Sequence, residues 1–211
     1  MPFHKDTFDR ISEDKRDHIF TIAVSEFAGK GYAATSINQI ARKAGISIGS
    51  MYSYFDSKED LFLAVVDKGY ELLERVFQGL RQEGPFREQL LELLNAAVWY
   101  AQRHPDMNNL YLSMMTEDLA PLAMRLSTQA EKLSVDYYQR MLRQAVERGE
   151  LRQDLDIPLA AYLIDNNVLL LQLACSSGYH QYRMQHFLAG RAEDKQQLAD
   201  QLCDIIMRSL A

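Results

Sequence analysis

Apolar residues recur at helical spacing along almost the whole chain. Ile19, Ile22, Ala23 and Phe27 fall at i, i+3, i+4 and i+8, one buried face of an amphipathic helix. Ser12 stands ahead of it as a candidate N-cap. Glu13 and Asp14 sit in the first turn, where the helix dipole favours negative charge. Gly29 to Tyr32, "GKGY", supplies the stop. A second, shorter stripe follows in Ile37, Ile40, Ala41 and Ala44. Ser36 and Gln39 have the spacing of a capping box, and Gly45 takes the position that needs left-handed backbone. The third stretch begins at once. Ser47 can cap it, and Ile46 and Met51 can form a staple. Ile46, Met51 and Phe55 then look inward, leaving Ser47, Ile48, Gly49, Ser50, Tyr52, Ser53 and Tyr54 mostly outside.

Beyond this point the same period continues. Ser57 and Asp60 open a helix carried by Leu61, Phe62, Val65, Val66, Leu72, Leu73, Val76 and Phe77 to about Gln82. Pro85 opens another that runs to Arg103. Further helices are expected at about 106–118, 120–148, 157–178, 179–190 and 193–210. The expected fold class is all-α. It comprises an N-terminal three-helix unit with a helix-turn-helix over 11–56, a connecting helix over 57–82, and a larger helical domain over 57–211. A two-turn helix such as 36–44 is too short to stand alone, so it must pack on its neighbours.

The most apolar stretch, Val168 to Cys175, is interrupted by Gln172 and follows Asp165, Asn166 and Asn167. A bilayer span needs about 20 apolar residues, so no membrane partner is expected. The charged start "MPFHKDTFDRISEDKRD" excludes a secretory signal, and a cytoplasmic location follows. Cys175 and Cys203 make no CxxC pair or zinc spacing, and five histidines show no HExxH. Two thiols in a reducing compartment, no metal and no cofactor are expected. Nothing has the spacing of a nucleophile elbow, metal triad or phosphate loop, so an enzyme is not expected.

The net charge of −6 argues against nucleic acid until its distribution is read. Residues 1–60 hold 8 Lys/Arg against 9 Asp/Glu, which puts −5 on residues 61–211. No acid falls between Glu26 and Asp56, and Lys30, Arg42 and Lys43 lie in that gap. A surface that approaches phosphates must avoid carboxylates. A helix-turn-helix puts the N-terminus of its second helix into the major groove. There Gly49 would let the backbone come close. Ser47, Ser50 and Ser53 could bond phosphates or base edges, and Tyr52 and Tyr54 could press rings on sugar or thymine methyls.

The stretch "GKGYAATSINQIARKAGISIGSMYSYFDSKEDLFLAVV" resembles the DNA-binding signature of the TetR/AcrR family of bacterial transcriptional regulators. The matching features are the Gly-Tyr before Thr35-Ser36, the Ile40-Ala41 pair, Ala44-Gly45-Ile46-Ser47, Gly49, Tyr52, Phe55 and the run Lys58 to Leu61. It departs at Tyr54, where histidine is common, and at Ile48, where a polar or basic residue is frequent. The resemblance implies a homodimeric, ligand-responsive repressor of a near-palindromic operator on double-stranded DNA. It implies phosphate contacts from Thr35, Ser36 and Lys58. It implies base reading by Asn38, Ser47, Ile48, Gly49, Tyr52, Ser53 and Tyr54. Dimerisation would use the helices at about 157–178 and 193–210.

An effector site is expected in the larger domain, where Trp99, Tyr100, Tyr111, Met114, Met115, Tyr137, Tyr138 and Met141 concentrate aromatic and thioether side chains. The same residues equally suit an ordinary core. Asn166, within Asp165–Asn167, faces a ligand's polar group, a partner subunit or solvent. Such a pocket suits a small apolar or aromatic effector.

Overall fold

The computed structural model describes residues 3–114, 116–189 and 194–211, and among them every regular element is helical. The chain divides into two compact units. Residues 1–72 and 109–126 form the first; residues 73–108 and 127–211 form the second.

The first unit holds α1 (Asp6–Asp9), α2 (Glu13–Ala34), α3 (Ile37–Lys43), α4 (Ile48–Tyr54) and the start of α5 (Lys58–Gly79). Ile19, Ala23 and Phe27 of α2, Ile40 and Ala41 of α3, Met51 and Phe55 at α4, and Leu61, Phe62 and Val65 of α5 are buried together. Each large side chain so buried is worth about 1.5–3 kcal/mol. That burial lets two seven-residue helices exist at all. α3 packs on α2 and on α4. Gly45, at φ 67°, makes the turn between α3 and α4.

Several sequence expectations shift at this level. α2 is broken at Gly31, whose φ of 77° and ψ of 162° leave the helical region, so the stop falls inside the Gly29 to Tyr32 stretch. Ser12 and Ser36 occupy N-cap positions, but neither side chain accepts a cap bond. The Gln39 amide instead accepts from Lys30 Nζ at 3.0 Å, which leaves the expected capping box unmade. At Ser57 one half of the box forms, and the two side chains bond each other. Asp60 N–H donates to Ser57 Oγ (3.1 Å), and the Ser57 hydroxyl donates to Asp60 Oδ2 (2.7 Å).

The second unit contains α6 (Phe86–Arg103), most of α8 (Ala120–Glu147), α9 (Ile157–Ser176), α10 (Gly178–Phe187) and α11 (Lys195–Leu210). α7 (Pro105–Ser113) lies between α6 and a single 3-10 turn, Glu117–Leu119, so the helix expected to reach 118 stops five residues early. α6 packs on α9 and α11. Its core joins Phe86, Leu90 and Leu94 to Tyr137, Tyr138, Met141 and Leu142 of α8, Ile164 of α9, and Cys203 and Ile206 of α11. Asp156 and Asp194 cap α9 and α11 through their side chains. Glu193, where the last helix was expected to start, lies outside the described residues.

α9 is more apolar over its length than the Val168 to Cys175 stretch alone suggests. Its 20 residues are long and apolar enough, by length and composition, to cross a membrane. Asp165 to Asn167 do not lower that composition enough. Two apolar stripes explain it. Ala160, Ala161, Ile164, Val168 and Leu171 point into the core. Leu159, Tyr162, Leu163 and Leu170 lie on the surface at i, i+3, i+4 and i+11.

Candidate nucleic-acid interface

α4 presents its polar side outward on a buried base. Met51 is fully buried beneath it, while Ser47, Ile48, Tyr52 and Ser53 are exposed. Ser47 caps the helix by accepting the Ser50 N–H at 2.9 Å, and its oxygen lies 2.8 Å from that of Ser50. The Ser53 hydroxyl donates to Ser50 O at 2.7 Å. The helix therefore carries three serines locked in local bonds, each with acceptor capacity to spare. Gly49 is revealing. A Cβ built there would meet only Ser47 Oγ at 3.8 Å, an ordinary contact, and its φ is not left-handed. Among the described residues, no contact requires a glycine at this position.

Tyr54 corrects the sequence reading. It was expected outside, yet only 7% of it is exposed. Its ring lies 5.6 Å from that of Phe8 in α1, an element the apolar period was too short to reveal. Tyr54 thus belongs to the base of α4. Thr35 is corrected likewise. It is 3% exposed, and its hydroxyl donates to Gly31 O (2.8 Å) and reaches Glu26 O (3.1 Å). That hydroxyl is spent inside the chain, where it pins the kinked end of α2. Ser36 remains exposed beside Gln39, Arg42 and Lys43, which line one surface depression. Asn38 is half-buried, with an Oδ1 that meets no partner among the described residues.

The cations are more committed than the sequence suggests. Glu26 is buried, and its carboxylate accepts from Lys30 Nζ (2.7 Å) and from Lys43 Nζ. Those two bonds, Lys30 first, hold its carboxyl below the ordinary value against the opposing effect of burial. Lys58 Nζ donates to Tyr32 O (2.8 Å) and Ala33 O (3.2 Å), and stands 4.4 Å from the Tyr32 ring centre. It closes the end of α2 as a C-cap. Arg42 alone of the three gap cations makes no ion pair among the described residues; its Nε donates to Asn38 O at 3.3 Å.

The residues expected to hold an effector are divided between the two units. Tyr137, Tyr138 and Met141 lie in the second unit's core, where the Tyr137 hydroxyl donates to Arg81 O (3.1 Å) and burial pushes its pKa up to about 12. Tyr100 is buried there too, and its pKa is likewise pushed up to about 12. Trp99 is 55% exposed. α6 turns its packed face toward α9 and α11, and Trp99 falls on the other side. Tyr111 and Met114 belong to the first unit, with the Tyr111 ring 5.7 Å from that of Tyr70. Asn166 donates to Tyr162 O of its own helix at 2.7 Å. Met115 lies outside the described residues.

A capped two-turn helix, set by a glycine turn on a second short helix and offering only uncharged groups to solvent, defines a helix-turn-helix DNA-binding regulator. The sequence profile of bacterial regulatory proteins of the tetR family matches residues 19–65. Over 204 residues the chain is 31% identical to the HTH-type transcriptional repressor NicS of Pseudomonas putida, covering 92% of each. It is 24% identical over 151 residues to the fatty acid metabolism regulator protein of Bacillus subtilis, covering 69% of this chain and 75% of that one. The solved structure of FadR from Bacillus subtilis in complex with stearoyl-CoA superposes with a TM-score of 0.74 at 18% identity, over 92% of this chain and 99% of that one. The chain belongs to the tetR family of bacterial regulatory proteins.

Proposed function

We propose that two copies of this chain bind a near-palindromic operator as a repressor, and that a small apolar or aromatic effector releases them. In this reading residues 11–56 form the reading head, 57–82 the connecting helix, and 57–211 the effector-binding and dimerising part. The observation that carries it is the outer face of α4. Ser47, Ile48, Tyr52 and Ser53 stand exposed around a glycine whose bare Cα serves nothing within the chain. A glycine in a helix costs roughly 1 kcal/mol relative to alanine, so its benefit lies in what approaches from outside. A base-pair edge reached by backbone is such an approach.

Phosphate contacts fall to Ser36, Arg42 and the half-exposed Lys58, with Asn38 beside them. Ser47, Tyr52 and Ser53 read bases, and Ile48 meets thymine methyls. The outer stripe of α9, together with Ile205 of α11, supplies the apolar face for the second copy. Two heads so joined would enter successive major grooves about 34–36 Å apart. For the effector, Tyr137, Tyr138 and Met141 offer adaptable lining, and a ligand acts only through unequal affinity for the two states. The stearoyl-CoA in the Bacillus subtilis FadR structure supports an apolar class.

The test is a mobility-shift titration on the promoter fragment beside the protein's own gene. Tyr52→Ala should weaken binding about tenfold, the cost of losing one base contact. Tyr54→Phe should leave it unchanged. Equal affinity for the wild type and Tyr52→Ala would overturn the assignment of α4 as the reading element.

A further inference from the structure

The last turn of α4 is closed by a distant part of the chain. A helix leaves its final four carbonyls without intrahelical partners. In α4 these belong to Met51, Tyr52, Ser53 and Tyr54, and each has an identifiable donor. Phe55 N–H takes Met51 O at 3.0 Å. The other three donors come from the N-terminal segment, about 47 residues earlier. Lys5 Nζ donates to Tyr52 O (2.9 Å), and Lys5 N–H donates to Tyr54 O (2.8 Å). The Thr7 hydroxyl donates to Ser53 O. Lys5 Nζ also pairs with Asp56 Oδ1 at 2.6 Å, just beyond the helix.

This segment is itself anchored. Phe8 is buried, its ring 4.8 Å from that of Phe55 and 5.2 Å from that of Phe20. Arg16 of α2 donates to Asp9 O at 2.9 Å, which fixes the far end of α1. The donors to α4 are therefore held from below by a packed aromatic ring and from behind by α2. A lysine ammonium at a helix C-terminus also complements the dipole.

We propose that Lys5 and Thr7 are positioning residues for DNA recognition, which set the orientation of Tyr52 and Ser53 by holding the carbonyls of those two residues. The inference rests on the assignment of α4 as the reading element. Tyr52 and Ser53 stand in the last turn, the part of a short helix most prone to fray. Their side chains face outward, and their backbone is tied inward by a hydroxyl and an ammonium. Removal of either tie frees the turn that carries two outward-facing contacts. Fit to one sequence is lost before general attraction to DNA, because neither tie needs to touch DNA.

The experiment uses the full chain and a duplex that the wild type selects from a random-sequence library, beside a scrambled duplex of equal length. Thr7→Val and Lys5→Met keep side-chain bulk and remove the donor. Each should lower the ratio of selected to scrambled affinity about tenfold, with the thermal midpoint little changed. Thr7→Ser, which keeps the hydroxyl, should restore the ratio. In the DNA-free protein, amide exchange at residues 52–55 should quicken in Thr7→Val and not in Thr7→Ser. An unchanged ratio in both donor-less variants overturns the proposal. So does equal loss on both duplexes with a lowered midpoint, or exchange in 52–55 that ignores Thr7. If the wild type enriches no sequence, the reading of α4 falls first and this inference with it.

Discussion

Gly49 and Glu26 show how single positions divide between holding the fold and serving the interface. At Gly49 the chain forgoes helix stability with no internal return. Gly49→Ala should therefore raise stability by about 0.5–1 kcal/mol, measured as the denaturant midpoint, and at the same time weaken operator binding. Improved stability with unchanged DNA affinity would mean that nothing approaches this Cα closely. Glu26 is the opposite case, a buried carboxylate serving the fold. Its folded-state pKa lies below the ordinary value of 4.5, through hydrogen bonds from Lys30 and then Lys43. The stabilisation is therefore complete at neutral pH and is lost as pH falls through the folded-state pKa. The thermal midpoint of Glu26→Gln should fall below that of the wild type at neutral pH, and the gap should close as pH falls through the folded-state value.

At the scale of elements, α9 has one apolar stripe packed and another bare. Leu170, on the bare stripe and 59% exposed, can be changed without opening the core. Leu170→Glu should convert a dimer to monomers in sedimentation while leaving the helical circular dichroism intact. An unaltered dimer would place the interface elsewhere. Helix periodicity in the sequence was enough to locate α2 to α6, α8, α9 and α11, because each has a stripe that must be buried. It was not enough for their ends. Gly29 and Gly31 look alike in sequence, and only the packing decides which leaves the helix. Ser36 and Gln39 have capping spacing, yet Lys30 of the preceding helix takes the glutamine oxygen. α1 was invisible because one turn shows no period, and its partners are some 47 residues distant. Tyr54 was misplaced for the same reason, since the ring that covers it is Phe8 of α1. The exposed part of the site was legible wherever it depended on α4 alone, as at Ser47, Ile48, Tyr52 and Ser53.

For the whole molecule, the chain carries −6 overall, and two of the three cations in its acid-free stretch are paired with Glu26. The ion pairs of Glu26 have a reach beyond the first unit's stability. Lys30 and Lys43 are already matched, so docking on phosphates releases few condensed counterions on their account. Each neutralised phosphate contributes about −0.9 to the slope of log affinity on log salt concentration. A titration of operator binding should then give a slope shallower than about −6, where a strongly basic head making many phosphate contacts would exceed it. Such a protein has little grip on arbitrary DNA. It would spend little time parked along the chromosome, and most free copies would remain in solution, available to the effector.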